Sequence, residues 1–222
     1  MALLLGLLKS GETRSAAMAG TTLLTIGADV SCTDGPGGKL RRVIIDPRAR
    51  TVTHLVVNDR QFQGRLAPLN LVDVDATTGR IRLRCTIAEF GKLGHAEVTV
   101  PLQDNDADPD NSYDQVQWHG TGWLADPPSV TYDTLPAGEV GVRGGEPVHA
   151  TDGNIGQIQG LVIDSASSQV THVLLQEGHV FGRKVVAIPI AAVTGADENG
   201  MQLNITKQQV KDLPSGWHRS PG

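Results

Sequence analysis

The chain has 222 residues, with 19 Lys and Arg against 24 Asp and Glu, for a formal net charge of −5. Apolar residues make up 39%, enough for modest cores, while the acidic balance and an aromatic content of 4% argue against a general nucleic-acid binder. The two cysteines, Cys32 and Cys85, lack the paired spacings of a zinc site or a disulfide framework and read as buried thiols in a reducing, cytoplasmic setting.

Residues 1–27 read as a disordered tail, or as an over-long start with Met18 as the initiator. Their apolar run, Ala2–Leu8, is shorter than the ~20 residues a membrane span needs, and no basic residue precedes it as in a signal peptide. Ala28–Cys32 predicts a short strand ending in the turn Thr33-Asp34-Gly35. Gly38–Asp46 carries the β-branched run Val43-Ile44-Ile45 and stops at Asp46-Pro47. Thr51–Val57 is rich in strand formers, so Gly38–Val57 reads as a hairpin. Leu66–Val72 and Arg80–Cys85 predict two further strands, and Thr86–Leu93 a short closing helix.

The whole series then recurs. Adding 118 to each number lays Val30–Val57 over Val148–Leu175 without a gap, and ten of the 28 positions are identical. An internal repeat of this kind sets the architecture. The second copy gives a hairpin Gly156–Gln176, strands Lys184–Val193 and Met201–Ile205, and a helical segment Thr206–Leu213. Pro189 matches Pro68 once three residues are dropped from the first copy. Residues 28–95 form repeat 1 and 145–214 form repeat 2, with a short tail at 215–222. Short strands punctuated by Gly and Pro predict an all-β protein of two small barrels in tandem, each with a short closing helix.

Between the copies, residues 96–144 are rich in Pro and acidic. Gln103–Asp114 reads as a mobile polar stretch, whereas Trp118, Trp123 and Tyr132 predict that the later part docks on a barrel. Charge is unevenly spread. Residues 28–95 carry 11 basic and 7 acidic side chains, residues 96–144 carry 1 and 9, and residues 145–222 carry 5 and 7. Arg80, Arg82 and Arg84 alternate along one strand and so share a face, and Arg41 and Arg42 add to the basic character of repeat 1. The second copy has Gln202 and Asn204 in place of Arg82 and Arg84. These arginines are the candidate partner-binding residues, with the acidic linker as a competitor for the same surface.

Other motifs favour structure over chemistry. The matched pairs Asp46/His54 and Asp164/His172 supply two members of a triad, but no nucleophile recurs beside them, so Asp reads as a loop cap and His as its hydrogen-bonded neighbour. Seven histidines form no ligand spacing, and Gly35-Pro36-Gly37-Gly38 lacks the Lys-Ser/Thr of a phosphate loop. Neither a metal, a cofactor nor a catalytic residue is expected.

The pattern Thr33-Asp34-Gly35, Gly38, Asp46, Val52-Thr53-His54, repeated as Thr151-Asp152-Gly153, Gly156, Asp164, Val170-Thr171-His172 and followed by Ile188-Pro189-Ile190, resembles the PRC-barrel family. The chain looks like the tandem members common in actinobacteria. That family includes the cytoplasmic domain of the photosynthetic reaction centre H subunit and the C-terminal domain of the ribosome maturation factor RimM. The resemblance implies docking onto another protein, as an adaptor or assembly module at a membrane-associated or cell-division complex, with no reaction catalysed. It leaves a ribosome- or RNA-associated role as the alternative. A homo-oligomer is compatible with it, and no transmembrane segment is expected.

Overall fold

The computed structural model describes residues 20–59, 63–75, 78–101, 129–177, 184–197 and 199–213. The first half runs β1 (Thr21–Thr25), β2 (Asp29–Cys32), β3 (Gly35–Asp46), β4 (Thr51–Asn58), β5 (Gly64–Pro68), β6 (Val72–Val74), β7 (Ile81–Leu83) and a helix α1 (Ile87–Phe90). An antiparallel pair of β8 (Glu97–Pro101) and β9 (Ser129–Asp133) follows, then β10 (Val140–Arg143). The second half repeats the first as β11 (Pro147–Ala150), β12 (Gly153–Asp164), β13 (Val170–Glu177), β14 (Lys184–Pro189), β15 (Val193–Asp197), β16 (Gly200–Leu203) and α2 (Lys207–Asp212). The protein is therefore mostly β, with two short helices among the described residues.

Proline breaks each expected aliphatic-Pro strand in two. Having no N–H to donate, Pro68 and Pro189 end β5 and β14, and single 3-10 turns, Leu69–Leu71 and Ile190–Ala192, redirect the chain into β6 and β15. Each helix begins with a capping box: Thr86 with Glu89, and Thr206 with Gln209.

Apart from a separate two-stranded sheet of β8 and β9, two sheets have seven strands each. One has the order β5-β4-β3-β2-β7-β6, the other β14-β13-β12-β11-β16-β15. Neither ladder closes on itself among the described residues, so the closed barrels expected from strand length are not formed by hydrogen bonding. The seventh strand of each sheet comes from outside its own copy. β1 pairs with β12, and β10 pairs with β3. The two pairings are equivalent under the repeat: Leu24 faces Leu161, and Val142 faces Val43. Each copy thus lends its first strand to the other, as in a domain-swapped dimer joined into one chain.

This exchange corrects the boundaries read from the sequence. Thr21–Thr25 is not disordered tail, and Val140–Arg143 is not linker; each is the first strand of its repeat. A pattern of alternating buried residues, Thr22 and Leu24, explains why β1 holds its register. The result is one continuous core that draws Leu24, Leu40, Val43, Leu55 and Val142 together with Leu161, Val173, Leu175 and Ile188. Full burial of each large aliphatic side chain stabilises the fold by about 1.5–3 kcal/mol.

The linker divides. Leu135 packs against the outer face of sheet one, on Ile44, Val56 and Ala96. Tyr132, expected to dock, is exposed instead (56%), as are Val98 and Val100. Gln103–Asp114, Trp118 and Trp123 lie outside the described residues. Among the described residues no helix is long and apolar enough to cross a membrane.

Candidate functional site

The repeated motif is built from backbone needs. Thr33 donates both its N–H and its hydroxyl to the Cys85 carbonyl, at 3.0 and 3.2 Å. Asp34 Oδ1 accepts the Ile87 N–H at 2.8 Å, and Asp152 Oδ1 accepts the Lys207 N–H at 2.8 Å. Each Asp therefore satisfies an otherwise orphaned donor at the start of a helix more than fifty residues away. Gly35 and Gly153 follow the turn and open β3 and β12. Gly38 (φ 141°) and Gly156 (φ 150°) are required by close approach, since a Cβ would stand 1.8 and 2.1 Å from the carbonyl oxygens of Asn58 and Gln176.

Asp46 and Asp164 are spent on their own turns. Asp46 Oδ1 accepts from the Arg48 and Ala49 amides, at 2.8 and 3.2 Å. Asp164 Oδ1 accepts from the Ala166 and Ser167 amides and the Ser167 hydroxyl, and these bonds hold its carboxyl below the usual range. His54 Nδ1 lies 3.1 Å from the Thr53 hydroxyl and 3.5 Å from Glu139 Oε2, and so turns to the linker rather than to Asp46. His172 Nδ1 lies 3.1 Å from the Thr171 hydroxyl, and burial pushes its imidazolium down. Pro189 sits opposite His172 across the β13–β14 ladder.

The five candidate arginines do not form one surface. Arg80, Arg82 and Arg84 are exposed and alternate with buried Ile81, Leu83 and Cys85, as the spacing predicts, although only the middle of the run is strand. Arg84 is engaged by Asp73, through Nε at 3.0 Å and Nη2 at 2.9 Å. Arg80 and Arg82 make no side-chain bond or ion pair among the described residues.

Arg41 and Arg42 lie elsewhere. Arg41 is the exposed residue of a bulge in the β3–β4 ladder, between Leu40 and Arg42. It lines an open cleft of about 1000 Å³ with Lys39, Gly145 and Gln159, its own counterpart in copy two. The paired lining residues Gly27 and Gly145, Leu40 and Ile158, place this cleft where the two copies meet.

Arg42 overturns its assignment as a docking residue. It is buried, at 5% exposure, and already bound. It stands directly opposite Arg143 across the β3–β10 ladder, an arrangement that like charges disfavour. Glu97 and Asp133, themselves opposite one another across the β8–β9 ladder, supply the compensation. Arg42 pairs with Glu97 and, at 2.8 Å, with Asp133; Arg143 lies 3.4 Å from Asp133 and 3.8 Å from Glu97. Two arginines facing across one ladder are thus clasped by two carboxylates facing across another. The second copy has Gly160 in place of Arg42, where a Cβ would meet the Leu24 carbonyl at 2.2 Å.

The sequence sets the acidic linker against this basic surface but does not single out Glu97 and Asp133, which lie far apart in the linker. Gly160, which replaces Arg42 in the second copy, is a further signal. Among the described residues, no group of three or more His, Cys, Asp or Glu is placed to hold a metal ion. No known protein-family model and no curated protein matches the chain.

Proposed function

We propose that this is a non-enzymatic, cytoplasmic protein of PRC-barrel type that docks on an acidic surface of another protein, as an adaptor or assembly module at a membrane-associated or cell-division complex. The family reading rests on the motif carried twice, from Thr33 to His54 and from Thr151 to His172. One observation carries the docking reading. Arg80 and Arg82 are exposed at the start of β7 and on it, unengaged among the described residues, and confined to one copy. Arg84 beside them and Arg42 elsewhere in the first copy have internal carboxylate partners; among the described residues these two have none. Exposed cations on a fixed strand steer an acidic partner and make association sensitive to salt.

The test is affinity capture from the native cell lysate with wild type and with Arg80→Gln/Arg82→Gln, followed by a salt titration of the captured complex. A defined protein complex, weakened by the substitutions and by salt, is the expected result. Capture unaffected by both would overturn the assignment of this face. Recovery of ribosomal particles released by nuclease would replace the adaptor role with an RNA-associated one.

A further inference from the structure

We propose that Cys32 and Cys85 form a disulfide within the folded chain when a low-molecular-weight disulfide, such as glutathione disulfide, is the oxidant. The residues are 53 apart in sequence, yet β2 and β7 run side by side in parallel, with Val30 opposite Ile81. The two bonds from Thr33 to the Cys85 carbonyl hold the chain immediately after Cys32 against Cys85. Both residues are buried in the same hydrophobic core, at 3% and 8% exposure. The second copy makes the same backbone bond, from Thr151 N–H to the Ile205 carbonyl at 3.0 Å, but carries Ala150 and Ile205 at the equivalent places. Packing there needs only apolar bulk, so a matched pair of sulfurs is a property of the first copy alone.

The exchange is balanced. The Cys85 thiolate, from the less buried of the two residues, attacks one sulfur of glutathione disulfide, breaking its S–S bond and releasing one glutathione thiolate. The Cys32 thiolate then attacks Cys85 Sγ and expels the second glutathione. Two cysteine thiols are oxidised, and one glutathione disulfide is reduced to two thiols that take up the two protons. Burial pushes the Cys32 thiol up to about 11, which makes the reaction slow. Closure fastens β2 to the end of the arginine-bearing segment; the cross-link itself does not depend on what those arginines bind.

The experiment treats the reduced full chain with glutathione disulfide alongside a peptide carrying an exposed cysteine. Intact mass, non-reducing peptide mapping and thermal unfolding are then read. The expected product has lost two hydrogens, retains no glutathione, links the Cys32 and Cys85 peptides, and melts roughly 5–10 °C higher until reductant is added. Cys32→Ala and Cys85→Ile, which install the residues of the second copy, keep the fold and abolish the linked peptide and the shift. Retained glutathione, disulfide-linked dimers, or two unreacted thiols after the control peptide is consumed would each overturn the proposal.

Discussion

Arg50 and Ser168 hold the same place in the two copies, and each gives its carbonyl to the other copy. Val170 N–H donates to the Arg50 carbonyl at 2.8 Å, and Val52 N–H donates to the Ser168 carbonyl at 3.0 Å. Both residues have positive φ, at 54° and 59°. This reciprocal pair, with the Thr51–Gln169 bridge between, lies where the two hairpin turns meet. Together with the exchanged strands, it makes the two repeats one folding unit.

That unity predicts a single cooperative unfolding transition. Leu24→Ala removes a fully buried side chain from the exchanged strand and should destabilise the whole molecule by about 2–5 kcal/mol. Denaturant unfolding followed by two probes checks this; separate transitions for the two repeats would contradict it.

Exchange also predicts that the covalent link is dispensable once the chain has folded. A chain cut at a protease site introduced between residues 102 and 128 should elute as one particle containing both fragments. Separation without denaturant would show that β1 and β10 contribute little to the association.

The Arg42 clasp should couple measurably to its carboxylates. A double-mutant cycle of Arg42→Met and Asp133→Asn is expected to give an interaction energy of about 1–3 kcal/mol, below that of a fully buried pair because Asp133 is 45% exposed. Arg42→Lys should recover only part of it, because an ammonium cannot span both Glu97 and Asp133 as a planar fork does.

Gly38→Ala and Gly156→Ala should each cost more than about 1 kcal/mol, because the added Cβ meets a carbonyl oxygen and the backbone angle excludes other residues. Similar losses at both sites would support equal roles. A neutral Gly156→Ala would show that β13 can shift.

His172 sets a direction for pH dependence. Its imidazolium is disfavoured by burial in the folded chain, whereas the unfolded chain takes up a proton near its ordinary value of 6.5. Its contribution is therefore complete above that value and is lost as pH falls through the depressed one. Chemical denaturation between about pH 7.5 and about pH 5 should show stability falling on acidification, with a shallower slope for His172→Gln.

The sequence by itself determined the repeat, the mostly β character and the central hairpin and closing helix of each copy, because strand formers, Asp-Gly turns and proline act over a few residues. It also determined which side of the Arg80–Arg84 segment faces solvent, since alternation is a local rule. The roles of Asp46 and Asp164 as turn caps are legible for the same reason. Tertiary structure decided the rest. From sequence β1 reads as tail and β10 as linker, because a strand of four or five residues has no local signal strong enough to name its partner; only the ladder on the other copy gives it one. Arg42 reads as surface because its burial depends on Glu97 and Asp133, 55 and 91 residues away. Sequence reports charge, but whether a charge faces a partner or an internal counter-ion depends on which strands the fold brings side by side.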